Sequence, residues 1–305
     1  MKHIQDKYLQ KRALFLERIK QIDPSITEEQ LTGRPRLSIR VNTLKDNSVH
    51  DNPIVWAPNC YWFTGDQTAL THSSAVAAGT MYLQNAASFI PPIILDSQPN
   101  ECVLDMCAAP GGKASHLASL TNNQAELWVN DNSRPRLLKM QANFARLGVK
   151  PTRMTLFAIA RLARELPHEY FDKILLDAPC SGEGMIDSNN PSDFTYWSVA
   201  QIKRLQSLQK QAIRTAWQLL KPGGHLVYST CTMAPEENEA VVDYLLRQTD
   251  DAEMLPLSIP VSNRIPALSA WRGKSFAPDV RHCLRLAPTP AVEAFFVAHL
   301  RKQND

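Results

Sequence analysis

The sequence predicts an α/β protein with a doubly wound, mostly parallel sheet and a small N-terminal α+β subdomain. Short apolar runs at 102–106, 127–130, 173–177 and 225–230 have the length and character of buried strands. Helical patterns separate them, and strands alternating with helices build parallel sheets covered on both faces. Upstream of about residue 80 this alternation is missing, so residues 1–80 are expected to form the subdomain and 81–305 the main domain.

Taken in order, residues 1–22 place Tyr8, Leu9, Ala13, Leu14, Leu16 and Ile19 at helical spacing, ending before Asp23-Pro24. Residues 37–44 alternate apolar and polar, as a half-buried strand does. The stretch 46–62 is rich in Asn, Asp and Pro and predicts irregular chain. After the strand at 102–106, a glycine turn opens a helix over 113–120. The strand at 127–130 is followed by a helix over 135–147. A long helix carrying Ile202, Leu205, Leu208, Ala212, Ile213, Ala216, Trp217 and Leu220 stops at Lys221-Pro222-Gly223-Gly224.

Composition narrows the function classes. The 305 residues are 44% hydrophobic and 21% charged, ordinary for a globular chain able to bury a large core. No apolar run reaches the roughly 18 residues of a membrane span, and no apolar segment follows the N-terminus as in a signal peptide. The expected location is the cytoplasm. Six cysteines without a C-x-x-C pair make neither a disulfide framework nor a zinc site, so no metal is expected. The net charge of +3 permits a polyanionic partner.

The loop Cys107-Ala108-Ala109-Pro110-Gly111-Gly112-Lys113 follows the first main-domain strand, where open α/β sheets bind ligands. It has neither Walker A nor G-x-G-x-x-G spacing. Asp131 follows the next strand, placed to accept hydrogen bonds from ribose hydroxyls. A nucleoside cofactor without pyrophosphate, such as S-adenosylmethionine, fits this pair. Cys180, in Asp177-Ala178-Pro179-Cys180-Ser181-Gly182, and Cys231, in Ser229-Thr230-Cys231, each follow a strand end. If those strands are neighbours, about 4.8 Å apart, both thiols face one substrate. Carbon 5 of cytosine is a poor nucleophile until a thiolate adds at carbon 6 and makes the ring an enamine. Asp177 is a natural partner for ring nitrogen 3, and a second cysteine has a use in resolving the adduct. The residues alone do not say which cysteine attacks.

These blocks resemble the NOL1/NOP2/Sun family of RNA 5-methylcytosine methyltransferases, closest in wording to the bacterial 16S rRNA members. The resemblance also rests on Ser38-Ile39-Arg40-Val41-Asn42-Thr43-Leu44-Lys45, on Tyr82-Leu83-Gln84-Asn85-Ala86-Ala87-Ser88 and on residues 295–302. It implies a Rossmann-like methyltransferase sheet, Cys231 as nucleophile and Cys180 as the residue assisting release. It implies S-adenosylmethionine bound by 107–113, Asp131 and Asp177, with Lys113 beside the catalytic pocket, and a monomer. The expected substrate is ribosomal RNA. Transfer RNA and a non-catalytic RNA-binding role are the alternatives.

Three departures stand out, one of them a short connection after Asn42-Thr43-Leu44 that implies a trimmed N-terminal subdomain. Ala158 occupies the place of an acid that contacts the cofactor, and Met185-Ile186-Asp187 replaces basic residues after the Pro-Cys block. Arg34, Arg36 and Arg40 are the tightest basic cluster and the expected RNA contacts. Lys2, Lys7, Lys11, Arg12, Arg18 and Lys20 are either further contacts or the solvent face of the first helix. Trp62, Phe63 and Trp271 are either base-stacking or core residues.

Overall fold

The structure, a computed structural model, describes residues 2–304, with side chains from Gln5 to Asn304, so the Lys2 side chain lies outside the described residues. Helix α1 (Lys2–Ile22) forms where predicted and buries Phe15, Leu16, Ile19 and Ile22, whereas Leu9, Ala13 and Leu14 of the predicted stripe are exposed. It covers part of the main domain, because those side chains pack with Phe194 and Trp197. Phe15 meets both rings edge-on at 5.6 Å. Arg18 is not on a solvent face: it is 1% exposed and pairs with Glu236 at 2.9 Å.

Strands β1 (Ser38–Val41), β2 (Cys60–Trp62) and β3 (Met81–Leu83) form a small antiparallel sheet in the order β2-β1-β3. Helices α2 (Gln67–Thr71) and α3 (Ser74–Ala78), capped by Asp66 and Ser73, lie between β2 and β3. Residues 1–80 are therefore not one unit. The helix sits on the main domain, and the small sheet takes its third strand from beyond residue 80.

Strand β1 is buried on both faces rather than one. Arg40, expected to meet RNA, is 1% exposed and donates to Ser115 Oγ at 2.7 Å and Ser119 Oγ at 3.0 Å. A buried cation is tolerated only when hydrogen bonded, and here the bonds dock the small sheet onto helix α5 (Gly112–Leu120). Burial pulls its pKa down to about 10. Arg40 is thus a docking residue, out of reach of a nucleic acid.

Helix α4 (Ile90–Leu95) precedes the main sheet. Strands β4 (Cys102–Asp105), β5 (Glu126–Asn130), β6 (Arg153–Thr155), β7 (Phe171–Asp177) and β8 (Leu220–Thr230) are all parallel, in the order β6-β5-β4-β7-β8. The chain runs outward from β4 to β6, then returns to β7 on the other side. Ligands bind at such a switch point, above the strand ends. Helices α5 and α6 (Arg134–Leu147) join α4 on one face, while α7 (Ile159–Glu165), α8 (Val199–Leu219) and α9 (Glu239–Leu246) cover the other. The strands alternate between these layers: Val103, Val129, Leu175 and Val227 face the first, and Leu104, Trp128, Leu176 and Tyr228 the second.

Beyond β8 lie β9 (Ala252–Leu255), β10 (Arg264–Ile265), the two-stranded pair β11 (Ala270–Trp271) and β12 (Lys274–Ser275), then β13 (Leu284–Leu286) and β14 (Phe295–Lys302). β14 runs antiparallel to β8 and also pairs with β9 and β13. Among the described residues no helix is long and apolar enough to cross a membrane.

Candidate active site

The carboxyl ends of β4, β5, β7 and β8 bring the predicted residues together. A cleft of about 330 Å3 is lined by Tyr82, Gln84, Asn85 and Ser88 on one side and Asp105, Cys107–Pro110, Gly112, Lys113 and Asp177 on the other. Gly111 has φ +100°, and a Cβ there would lie 2.8 Å from the Phe144 ring. Only glycine allows that turn beneath α6.

Asp131 is buried and accepts from the amides of Ser133 at 2.9 Å and Ala109 at 3.3 Å. Arg136, which sequence reasoning passed over, pairs with Asp131 at 3.3 Å and donates to the Ala109 carbonyl. Asn130, also passed over, stitches three loops. Its Nδ2 donates to the carbonyls of Met106 at 3.0 Å and Phe157 at 3.1 Å, and its Oδ1 accepts from Thr155 and from the Phe157 amide, both at 2.9 Å. A second, narrower pocket beside Asp131 is lined by Asn130, Arg136, Phe157 and Ile159. Ala158 stands next to it as the N-cap of α7, with no capping side-chain bond.

Asp105 closes the floor of the cleft. One of its oxygens accepts from the Cys107 amide at 3.3 Å, whereas Oδ2 is buried without a partner. Burial, then the nearby Asp177, pushes its pKa up to about 7. An unpaired buried carboxylate oxygen lining a cleft fits a ligand ammonium such as that of S-adenosylmethionine, and Asp131 fits its ribose.

Lys113 donates to Asp177 at 2.7 Å, and Ser229 donates to the other Asp177 oxygen at 2.8 Å. Burial alone would lower the Lys113 pKa, but Asp177 and the bond to it, with Cys231 and Asp105, push it above the usual lysine value. Strands β7 and β8 are adjacent, with Asp177 opposite Ser229, and the sulfurs of Cys180 and Cys231 are 3.4 Å apart. The hydrogen bond with Cys231, followed by burial, raises the Cys180 pKa well above that of a free thiol.

Behind the sulfurs, Ser181 Oγ and Thr232 Oγ1 are 2.8 Å apart. Two buried carboxyls hold them. Glu237 accepts from the Ser181 amide at 2.9 Å, from the Ser181 hydroxyl and from Gln209 at 2.8 Å. Glu183 accepts from Trp197 at 2.9 Å and Thr232 at 3.2 Å. Burial pushes Glu237 up to about 7 against these donors. The Gly184 amide donates to the Cys231 carbonyl at 3.0 Å, and a Cβ on Gly184 would stand 2.2 Å from the Ala294 carbonyl oxygen. Neighbouring Ser and Thr in the two cysteine motifs were the only sequence signal for this network.

Of the expected RNA contacts, Arg34 and Arg36 are exposed. Arg34 pairs with Asp193 at 3.0 Å, and Arg36 lies over the Trp62 ring at 5.5 Å. The guanidinium groups of Arg18 and Arg272 each lie 5.7 Å from the Trp271 ring. Among the described residues no three His, Cys, Asp or Glu side chains are grouped as a metal site requires.

Residues 92–301 match the family described as 16S rRNA methyltransferase RsmB/F. The chain is 37% identical to a tRNA (cytosine(49)-C(5))-methyltransferase of Pyrococcus abyssi, over 94% of this chain and 95% of that one. It is 35% identical to the ribosomal RNA small subunit methyltransferase F of Vibrio parahaemolyticus, over 95% of this chain but 63% of that one. Relatives of that name are matched over about half to two thirds of their length, the Shewanella piezotolerans protein over 50%. Among solved structures, a methyltransferase homologue from Pyrococcus horikoshii superposes with a TM-score of 0.77 at 33% identity, covering 90% of this chain and 88% of that one. NSun6 from the same organism, solved with SFG, an S-adenosylmethionine analogue, has a TM-score of 0.65 at 32% identity, covering 81% and 58%.

Proposed function

Because the chain belongs to the RsmB/F family of methyltransferases, we propose that it methylates carbon 5 of a cytosine in RNA through a covalent adduct on Cys231. The observation that carries this is the pair of sulfurs 3.4 Å apart, on the strand ends that also carry Asp177 and Ser229, with the Lys113–Asp177 pair lining the cleft. S-adenosylmethionine, when bound, supplies an electrophilic methyl group. Asp105, Asp131 and the 107–113 loop are the residues to hold it.

The target base leaves its stack to enter the cleft. Cys231 adds to carbon 6, and the ring electrons displaced onto carbon 5 take the methyl. Asp177, fixed by Lys113 and Ser229, faces ring nitrogen 3 and stabilises the charge that develops there. The carbon 5 proton then passes to water, the pair it leaves restores the double bond between carbons 5 and 6, and Cys231 departs as its thiolate. Cys180 assists that release. The hydrogen bond with Cys231 and burial raise the Cys180 pKa above that of a free thiol, and the division of roles between the two sulfurs rests on the family resemblance.

Ribosomal RNA is the favoured substrate, on the family match. Transfer RNA is the second reading, supported by the end-to-end identity with the archaeal tRNA enzyme. The enzyme acts in the cytoplasm as a monomer, with Arg34 and Arg36 along the RNA backbone. The test is to incubate Cys180→Ala with S-adenosylmethionine and total cellular RNA. A denaturation-resistant adduct that disappears in the Cys180→Ala, Cys231→Ala double variant is expected, and sequencing the trapped RNA separates the two substrates. Cofactor binding without any adduct would overturn the reading in favour of a non-catalytic RNA-binding protein.

A further inference from the structure

The proposed chemistry uses the two sulfurs but not the residues that follow each of them. The hydroxyls of Ser181 and Thr232 meet each other at 2.8 Å. Each belongs to a loop at the end of a different strand, so their contact links the loops independently of the sheet. The link is anchored at both ends. Glu237, on the segment after Cys231, reaches back to the Ser181 amide and hydroxyl on the Cys180 loop. Glu183, on the Cys180 loop, reaches forward to Thr232 on the Cys231 loop. The attachments therefore cross, and neither loop can shift without breaking bonds to the other.

The anchors are themselves fixed. Gln209 of α8 donates to Glu237 and also to the Pro179 carbonyl at 2.8 Å, and Trp197 donates to Glu183. Both carboxyls are essentially inaccessible to solvent. These buried bonds restrict the two loops, because another arrangement of Ser181, Thr232, Glu183 and Glu237 would break them, although Gln209 Oε1 has no partner. Two thiols on unlinked loops would share no such constraint. Their contact matters chemically, since a group that assists release must stay beside the carbon–sulfur bond that breaks.

We propose that the Ser181–Thr232 hydroxyl pair, anchored by Glu237 and Glu183, is a positioning device that holds Cys180 against Cys231 and so sets the rate at which the RNA adduct is discharged. The discharge half of this proposal rests on the covalent mechanism above, and the positional half does not. Two measurements keep them apart. In the RNA-free protein, dibromobimane becomes fluorescent on bridging neighbouring thiols, with Cys180→Ala as the blank. Ser181→Ala and Thr232→Val are each expected to slow bridging at least fivefold, and Thr232→Ser to restore it. With total cellular RNA and tritiated S-adenosylmethionine, Ser181→Ala is expected to form adduct within threefold of the wild-type rate but to discharge it at least tenfold more slowly. Thr232→Ser is expected to discharge as wild type does.

Wild-type bridging in both hydroxyl-deleted variants, or no rescue by Thr232→Ser, would overturn the positional claim. Slowed bridging with normal discharge would overturn the link to release. Absence of an adduct even in Cys180→Ala would remove the covalent mechanism and the discharge claim with it, while bridging still decides the positional claim. If Ser181→Ala does not fold, the Thr232 pair carries both measurements.

Discussion

Two buried carboxyls, Asp105 on the cofactor side and Glu237 on the thiol side, are both lifted to about 7, and burial is the leading cause in each. They are satisfied in opposite ways. Glu237 receives the amide and hydroxyl of Ser181 and the amide of Gln209, so its oxygens are committed to the protein. Asp105 keeps one oxygen with no partner on the wall of the cleft. The contrast separates a group that holds architecture from one left free for a ligand, although titration alone would not tell them apart. It predicts that deleting Glu237 costs stability and that deleting Asp105 costs binding.

The largest expected effect is that of Glu237→Ala. It leaves the Ser181 amide without its acceptor in the core and takes from Gln209 one of its two acceptors, which lowers the unfolding free energy by about 2 kcal/mol in urea titrations. A loss below about 1 kcal/mol would break the comparison. Asp105→Asn is expected to do the reverse. The raised Asp105 pKa gives a stabilising contribution that is full below the unfolded value and lost as pH rises through about 7. Removing the charge should therefore stabilise the free protein at pH 8 by on the order of 1 kcal/mol, while weakening S-adenosylmethionine in calorimetry.

Proton linkage sharpens the contrast. A ligand cation favours ionised Asp105, so cofactor affinity should rise with pH up to about 7, by no more than about tenfold per pH unit, and level off above it. That dependence should vanish in Asp105→Asn and persist in Glu237→Gln. The smallest effect separates the arginines. Arg36→Ala should reduce the salt slope of single-stranded RNA binding by about 0.7, the value of one phosphate contact. Arg40→Met should leave the slope unchanged and lower the melting temperature.

The strand pattern, the glycine turn that lines the cleft and the pairing of Cys180 with Cys231 were legible because buried parallel strands are continuous apolar runs whose carboxyl ends lie together. Arg40 was not legible. Alternation in residues 37–44 marks Ser38 and Arg40 as one face of a strand, but it does not say that α5 covers that face. The destination of α1 was hidden for a similar reason: an apolar stripe gives a helix, not the surface it will cover. Asn130, Ser181 and Thr232 are ordinary polar residues beside motif residues, and their roles exist only once separate loops have been brought together.

The position of β14 has a consequence for biogenesis. It is the antiparallel partner of β8, the strand that leads to Cys231, yet it comprises residues 295–302. During synthesis one side of β8 therefore remains a bare edge until residues 295–302 have been made, offering unpaired backbone groups to any other strand it meets. A product stalled before residue 295 would carry every residue proposed for the chemistry and still lack the strand that shields the one leading to Cys231.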